Sequence, residues 1–217
     1  MKESTIILIR HGYTEGNLKG WCYGQTDLPL SETGKIRIKE LKEQGVYPEI
    51  HDHADLYTSG MARAEETFKI IYGNRPHRVI DNLREFNFGK YECKPFEEIR
   101  KDPFFNNWDK DKVGDIILPG GESKNGFYSR VGRGLEELKN YHNLKELSLR
   151  HKEQEAISLV VCHGGVIAGL MDIMFKGEKE NLWDWLPEPG TGYEVKFREG
   201  TPYKAFHLGD GKPYTGF

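Results

Sequence analysis

Two uninterrupted apolar runs, each followed by histidine and glycine, constrain the fold of this chain most strongly. The first, TIILIRHG, contains the β-branched run Thr5–Ile9, and the second is EAISLVVCHGG. Neither run alternates apolar with polar residues, as a strand with one solvated face does. Both are far shorter than the about 18 apolar residues that cross a bilayer. They therefore predict strands buried on both faces, which are typical of a parallel sheet covered by helices.

Strand and helix patterns alternate along the rest of the chain. A helix is predicted from Leu28 to Gly45, with Ser31 as its N-cap and Gly45 as its C′ residue. The other predicted elements are strands at 54–60 and 77–82, helices at 61–73, 123–151 (capped by Ser123) and 166–177, and a C-terminal hairpin turning at Glu199-Gly200. This alternation predicts an α/β fold, a three-layer sandwich with a mostly parallel central sheet and helices on both faces.

The segment from Leu83 to Ser123 differs from its surroundings. It is rich in aromatic residues, glycine, proline and charge, and one short helix is predicted at 95–100. We interpret 83–123 as a lid or inserted region within a single domain that spans residues 1–217. Its aromatic side chains could line an apolar pocket or fill a core of their own. Trp183 and Trp185, further along, are predicted to pack under the C-terminal hairpin.

Composition narrows the classes of partner. The 31 basic and 34 acidic residues give a net charge of −3, so we expect neither a nucleic-acid nor a membrane partner. The three cysteines, Cys22, Cys93 and Cys162, form no CxxC pair, which favours reduced thiols in the cytoplasm. The apolar run near the N-terminus is too short for a signal peptide. The expected protein is a cytoplasmic monomer or homodimer.

Chemically active side chains follow the predicted strands. Ligands of open α/β sheets bind beyond the carboxyl ends of the strands, so these side chains should share one edge. The residues concerned are Arg10, His11 and Gly12 after the first strand, Arg63 after the second, Glu85 after the third, and His163 and Gly164 after the fourth. Two arginines and two histidines at one place would repel each other unless they surround an anion, and a guanidinium fork matches phosphate oxygens.

The same residues suit phosphoryl transfer through a phosphohistidine. This reaction needs a neutral imidazole as nucleophile, cations around the equatorial oxygens and an acid for the leaving oxygen. Arg10, His11, Arg63, Glu85 and His163 supply all of these groups. For His11 to attack, an acceptor should fix its tautomer by binding the other ring nitrogen.

The segments RHGYTEGN, TSGMARAEET, LREFNFGKYE and VVCHGGV resemble, in order and spacing, the signatures of the histidine phosphatase superfamily, which includes cofactor-dependent phosphoglycerate mutases. The resemblance spans residues 6 to about 173. It implies that His11 becomes the phosphohistidine and that Glu85 protonates the leaving group and then activates water. It further implies phosphoryl-oxygen contacts from Arg10, Arg63, His163 and Asn17. Gly12 should leave room for the phosphate, Gly164 should line the substrate site, and Tyr23 should touch the leaving group.

Two departures from the mutase pattern favour a phosphatase. The acid segment is LREFNFGKYE where mutases have NERHYG, and His163 is followed by Gly-Gly-Val where they have Gly-Asn-Ser. The stretches WCYGQTDLPLSETG and FGKYE look like α-ribazole phosphatases and broad-specificity phosphatases. We therefore expect a histidine acid-type phosphatase, a phosphoric monoester hydrolase of a small phosphorylated substrate that needs neither metal nor cofactor. Tyr13 and Gly60 stand where many relatives have Glu and Pro.

Alternatives remain open at this level. The protein could be a mutase, or a non-catalytic module that binds phosphorylated ligands on the same fold. A metal hydrolase built on His51 and His53 is a third possibility. Within the phosphatase hypothesis, Asn17 could act only as a helix cap. The rivals of Glu85 for the role of acid are Glu15, Glu92 and Glu122.

Overall fold

The computed structural model describes residues 3–152 and 154–209 of the 217-residue chain. Its main sheet has six strands, β1 Glu3–Arg10, β3 Asp55–Thr58, β4 Arg78–Val79, β6 Ala156–Cys162, β7 Gly192–Arg198 and β8 Thr201–Leu208. They lie side by side in the order β4-β3-β6-β1-β7-β8. Two further short strands, β2 Trp21–Cys22 and β5 Lys94–Pro95, pair with each other outside this sheet.

The two apolar runs lie side by side at the centre of the sheet. β1 and β6 are parallel and in register, so that Arg10 pairs with Cys162 at their carboxyl ends. β6 is also parallel to β3, and β3 to β4, whereas β7 is antiparallel to β1 and to β8. The predicted mostly parallel sheet is therefore confirmed. At 77–82 the strand is only two residues long, because both its residues are exposed at the sheet edge.

Helices cover both faces of the sheet, as predicted for a three-layer sandwich. Ile6 and Leu8 of β1 belong to an apolar cluster on the side of α6 (Lys124–Ser148) and α7 (Gly164–Met174). Ile7 and Ile9 belong to the cluster on the other side, with α2 (Glu32–Glu43) and α3 (Ala62–Tyr72). This two-faced burial explains the absence of alternation in β1. The helices are α1 Glu15–Leu18, α2 Glu32–Glu43, α3 Ala62–Tyr72, α4 Phe96–Ile99, α5 Pro103–Lys110, α6 Lys124–Ser148 and α7 Gly164–Met174.

Caps set the ends of the main helices. The hydroxyl of Ser31 accepts a hydrogen bond from the Gly34 N–H at the start of α2, and Ser123 accepts from the Gly126 N–H at the start of α6. Gly45, with φ of +73°, follows the end of α2 in the left-handed region that glycine tolerates. No helix in the described ranges is long and apolar enough to span a membrane.

The 83–123 region contains α4, α5 and a 3₁₀ helix at Gly89–Tyr91. Helix α5 lies outside the single short helix that the sequence predicted. Several of the region's aromatic rings are buried in the same cluster as β1, namely Phe86, Tyr91, Phe105 and Trp108. These rings thus contribute to the core on the α6 side of the sheet. Treating 83–123 as a lid stays a prediction.

The chain returns to the sheet through a 3₁₀ helix, Leu182–Trp185, and the β7–β8 hairpin. Trp185 is fully buried and its ring lies 5.9 Å from that of Tyr193, as predicted for packing under the hairpin. Trp183 is 55% exposed, so the same prediction for Trp183 is wrong. Because a 3₁₀ helix has three residues per turn, Trp183, two residues before Trp185, lies on a different face of this turn.

Candidate active site

The side chains singled out in the sequence meet at the carboxyl edge of β1, β3 and β6. Arg10 ends β1, His163 directly follows β6 and caps α7, and Arg63 lies in the first turn of α3. Glu85 comes from the loop after the 3₁₀ helix at Asp81–Leu83. Parallel strands bring these positions together because their carboxyl ends share one edge.

The imidazole of His11 is buried and held in one tautomer. Its Nδ1 lies 2.7 Å from the carbonyl oxygen of Gly12, which can only accept, so Nδ1 carries the proton. Nε2 then keeps its lone pair and accepts a hydrogen bond from Nε of Arg63 at 3.2 Å. The carbonyl of Gly12 is the acceptor that the sequence argument required without naming it. His11 thus presents an unprotonated nitrogen towards the guanidinium groups.

His163 has the opposite tautomer. Its Nδ1 accepts from the same Arg63 Nε–H, also at 3.2 Å, so the proton lies on Nε2 and is donated to the hydroxyl of Ser59 at 2.8 Å. The two imidazole rings are 5.2 Å apart between centroids, at an angle of 61°. Arg63 therefore bridges two neutral histidines through a single N–H group. Ser59 lies near the end of the strand that the sequence predicted at 54–60, and the sequence analysis assigned it no role.

Arg63 is fully buried, and none of its hydrogen-bond partners among the described residues is a carboxylate. Its Nη2 donates to the carbonyl of Gly24 at 2.5 Å and its Nη1 to the carbonyl of Thr26 at 3.1 Å. The ring of Tyr23 lies 5.2 Å from the guanidinium carbon. A buried cation held only by neutral groups is costly, and an anionic ligand would offset that cost.

Arg10 contributes the second guanidinium. Its Nη1 donates to the carbonyl of Pro187 at 2.6 Å, whereas its buried Nε has no partner among the described residues. A Cβ at Gly164 would lie 2.9 Å from that Nε and 2.7 Å from Leu186 Cδ1. Glycine at 164 therefore leaves space for the Arg10 side chain. The unpaired donor is what a phosphate oxygen would satisfy.

Glu85 lies at the N-terminus of α7. Its Oε2 accepts from the Gly165 N–H and its Oε1 from the Phe86 N–H, both at 3.0 Å. A Cβ at Gly165 would lie 2.6 Å from Oε1, so only glycine allows this approach. The backbone carbonyl of Glu85 accepts from Arg130, which pairs with Glu122 at 2.6 Å. The Glu85 carboxylate is thus held near the guanidinium groups of Arg10 and Arg63, with which its charge interacts.

Burial and charge keep the two histidines neutral. Burial lowers the pKa of His11 and of His163 well below the ordinary histidine value, and the Arg63 guanidinium lowers both further. Burial also lowers the pKa of Arg10 and of Arg63, although a guanidinium stays charged in proteins. With two cations and one carboxylate, the site has a net positive charge. It suits a dianion better than a neutral ligand.

Three of the predicted substrate-binding residues have structural contacts that the sequence did not show. Asn17 Oδ1 accepts from the Thr14 N–H, forming a capping box at the start of α1, and from the hydroxyl of Tyr23 at 2.8 Å. Asn17 thus completes the capping box from its N3 position, with Thr14 as the N-cap, and its contact with a phosphoryl oxygen stays a prediction. At Gly12 a Cβ would lie 2.8 Å from Ile38 Cγ1, so contact with α2 requires this glycine. The sequence argument had attributed the requirement to the phosphate.

The rival carboxylates have other partners. Glu15 lies exposed beside Lys19 at 3.8 Å, and Glu122 pairs with Arg130. Glu92 accepts hydrogen bonds from four backbone N–H groups, which sequence reasoning missed. Its only signal in the sequence was its place after FGKY, because its four partners are backbone groups from two separate segments.

His51 and His53 stand apart from this site. They precede β3, at the sheet edge opposite Ser59, and their rings stack at 5.5 Å with an angle of 11°. Over residues 3–152 and 154–209, no group of three or more His, Cys, Asp or Glu side chains is arranged to hold a metal ion.

The fold and the two pairs of basic side chains define an α/β enzyme of the phosphatase or mutase class. The chain belongs to the histidine phosphatase superfamily (branch 1), whose model matches residues 6–207. The resemblance carried by its four motifs is therefore confirmed.

Similar proteins include both phosphatases and mutases. The chain is 28% identical over 179 residues to the uncharacterized phosphatase PhoE of Bacillus subtilis, covering 82% of this chain and 80% of that protein. It is 29% identical over 213 residues to a 2,3-bisphosphoglycerate-dependent phosphoglycerate mutase of Bradyrhizobium diazoefficiens, covering 91% of this chain and 93% of that protein. The crystal structure of the alpha-ribazole phosphatase from Shigella flexneri superimposes with a TM-score of 0.72 at 23% identity, covering 91% and 93%. That likeness shows the common fold.

Proposed function

We propose that this protein is a metal-independent phosphomonoesterase that acts through a phosphohistidine on a small phosphorylated metabolite. The observation that carries the proposal is the state of His11. Its Nδ1 is tied to the Gly12 carbonyl, and its unprotonated Nε2 faces Arg63. The buried Nε of Arg10, which has no partner within the described part of the chain, adds a donor for a phosphate oxygen. A nucleophile fixed among cations is what attack on a phosphate dianion needs.

In the first step, phosphate oxygens accept hydrogen bonds from Arg10 and Arg63, which frees the Nε2 lone pair of His11. On substrate binding the Glu85 carboxylate takes up one proton from solvent. Nε2 then bonds to phosphorus as the bond to the leaving oxygen breaks, and that oxygen takes this proton from Glu85. In the second step Glu85 takes a proton from water. The water oxygen bonds to phosphorus, the phosphorus–nitrogen bond breaks, and inorganic phosphate leaves with His11 neutral again.

The depressed pKa of His11 supports assignment to the acid-type phosphatases. Burial and two guanidinium groups lower it, so the nucleophile stays unprotonated below the ordinary histidine value. Activity should therefore persist at mildly acidic pH. Three free cysteines, Cys22, Cys93 and Cys162, support a cytoplasmic location, and we propose a monomer or a homodimer as the active species.

A mutase is the second candidate, because relatives of nearly the same length carry that name. A mutase returns the phosphoryl group from His11 to a substrate hydroxyl instead of to water. It would interconvert phosphoglycerates only when primed by 2,3-bisphosphoglycerate. The hydrolase would release inorganic phosphate without any primer, so the two activities are separable in one assay.

Hydrolysis of 4-nitrophenyl phosphate from pH 5 to 8 tests the proposal. Wild type and His11→Ala are compared, each with and without EDTA. We expect turnover that EDTA leaves unchanged, and a loss of at least about 10³-fold in His11→Ala. Turnover that survives His11→Ala, or that disappears with EDTA, would contradict the mechanism. A wild type that binds phosphate without turning over any phosphomonoester would favour the binding module.

A further inference from the structure

We propose that Glu92 is a positioning residue that fixes the Arg63 guanidinium through the loop at residues 24–26. This inference rests on the proposed function, in which Arg63 binds the phosphoryl oxygens. Glu92 accepts from the N–H groups of Gly24 at 2.9 Å, Gln25 at 3.1 Å and Thr26 at 3.1 Å. Three successive N–H groups turned towards one carboxylate form an anion-binding nest.

The carbonyl groups of the same loop point the other way. Those of Gly24 and Thr26 accept from the two terminal nitrogens of Arg63. The carbonyl of Gly24 and the N–H of Gln25 belong to one planar trans peptide unit, so they point in opposite directions. By binding the Gln25 N–H, Glu92 therefore orients the Gly24 carbonyl that holds Arg63, and its bond to the Thr26 N–H restrains the residue whose carbonyl holds the other terminal nitrogen. The third Arg63 nitrogen, Nε, is left facing His11 and His163.

Glu92 is itself fixed by the chain around it. It accepts a fourth hydrogen bond, from the Phe88 N–H at 2.9 Å, and its own N–H donates to the Gly89 carbonyl. The next residue, Cys93, has φ of +58° and donates to the Cys22 carbonyl at 2.7 Å. Non-glycine residues rarely enter this left-handed region, so the surrounding structure enforces the turn.

The loop is also confined on its far side. A Cβ at Gly24 would lie 1.7 Å from the carbonyl oxygen of Phe86, the residue after Glu85. The loop therefore runs in contact with the segment that carries the proposed acid. Glu92 binds N–H groups from both segments, at Gly24 and at Phe88, so one carboxylate holds the Arg63 side and the Glu85 side of the site together.

Glu92→Gln tests this role, because it keeps the size of the side chain and replaces one acceptor oxygen by a donor. Glu66→Gln is the matched control. Its carboxylate accepts from the Leu30 N–H of the same long loop at 3.2 Å and is not among the hydrogen-bond partners that Arg63 has in the described part of the chain. If Glu92→Gln fails to fold, Glu92→Asp serves instead, because it keeps the charge but is one methylene too short to reach all four N–H groups.

The first readout is the pKa of His11, followed by NMR on folded protein without substrate. The charged and titratable groups around His11 are Arg10, Arg63, His163, Glu85 and Tyr23. Burial lowers this pKa most, and the nearby Arg63 cation has the next largest lowering effect. We expect the pKa to rise in Glu92→Gln as Arg63 moves away, and to stay at the wild-type value in Glu66→Gln. An unchanged pKa in folded Glu92→Gln would overturn the proposal.

The second readout is the binding of inorganic phosphate and turnover of 4-nitrophenyl phosphate. We expect Glu92→Gln to weaken phosphate binding at least about 10-fold, since a displaced Arg63 loses charge-assisted hydrogen bonds. In an Arg63→Gln background the same change should alter kcat/KM less than about 3-fold, because its effect passes through Arg63. If the effects of Glu92→Gln and Arg63→Gln on kcat/KM were fully additive in free energy, the proposal would be overturned. NMR and phosphate binding need no turnover, so an inactive wild type would contradict the phosphatase proposal without affecting this test.

Discussion

His11 and Glu85 divide the proposed chemistry between a nitrogen fixed in one tautomer and a carboxylate fixed at a helix start. His11 takes its tautomer from its neighbour's carbonyl, and Glu85 takes its position from the N–H groups of Gly165 and Phe86. Both arrangements use backbone groups, which cannot rotate away as side chains do. The two groups are therefore preorganised before a substrate arrives.

The role of Glu85 as an acid can be isolated through the leaving group. Nitrophenolate can leave without taking up a proton, whereas an alkoxide needs a proton from an acid as it leaves. We expect Glu85→Gln to lower kcat/KM on an alkyl phosphate by about 10²–10⁴-fold, and on 4-nitrophenyl phosphate by no more than about 10-fold. Steady-state kinetics on the two substrates measures this difference.

Glu122→Gln is the control for that comparison. Glu122 pairs with Arg130, which donates to the Glu85 backbone carbonyl, so this change loosens the segment but keeps the acid. It should lower the two rates by the same factor. An equal loss on both substrates in Glu85→Gln would assign Glu85 to binding rather than to proton transfer.

At the scale of residues, strand ends made the site partly predictable. Arg10, His11 and His163 could be placed together because each follows a buried run that the sequence marks clearly. The contacts of Glu92 and Ser59 could not be predicted from the sequence, because they join distant segments through backbone or hydroxyl groups. Gly12 could be singled out, but the Ile38 side chain that requires it lies on another element.

At the scale of elements, predictability followed burial and length. The long runs of β1, β6 and α6 were placed within a few residues because their apolar patterns are strong. Strand β4 was overestimated because an edge strand gets few partners, and both of its residues are exposed. Helix α5 was missed because it is only eight residues long and its aromatic side chains suit a loop or a core equally.

The β7–β8 hairpin offers a test of turn chemistry. Glu199 and Gly200 both have positive φ, of 52° and 73°, as in a type I′ turn. Glutamate is strained there, whereas asparagine enters this region more readily. We expect Glu199→Asn to raise the free energy of unfolding by about 0.5–1 kcal/mol, measured by urea denaturation. Gly200→Ala should lower it, and a stability loss in Glu199→Asn would contradict the turn assignment.

At the scale of the whole molecule, three buried histidines couple stability to pH. His11 and His163 lie in the site, while His142 of α6 is buried against β6, with Nδ1 2.8 Å from the Ser158 hydroxyl. Burial lowers the pKa of each, although Glu146, Asp55 and Glu155 partly oppose this at His142. The folded protein thus resists protonation at three places that the unfolded chain would protonate freely.

The sign of the effect follows from proton linkage. Between the depressed folded pKa values and the unfolded value of about 6.5, the unfolded chain binds more protons, so stability rises with pH. Above about pH 6.5 the contribution of these histidines is complete and constant. Below about pH 6.5, each of the three histidines should lower the free energy of unfolding by up to about 1.4 kcal/mol per pH unit, until its folded pKa is reached. We therefore expect the melting temperature to fall from pH 7 to pH 5 and to change little from pH 7 to pH 8.

His142→Gln separates the structural histidine from those of the site. Removing one of three depressed groups should make the dependence of unfolding free energy on pH shallower by at most about one third, while the pH profile of turnover stays as in wild type. Urea denaturation at pH 5, 6 and 7, without phosphate, measures the slope. Phosphate must be absent because its binding would stabilise the folded state by mass action. An unchanged slope in His142→Gln would show that His142 binds a proton in the folded protein, which its burial against Ser158 argues against.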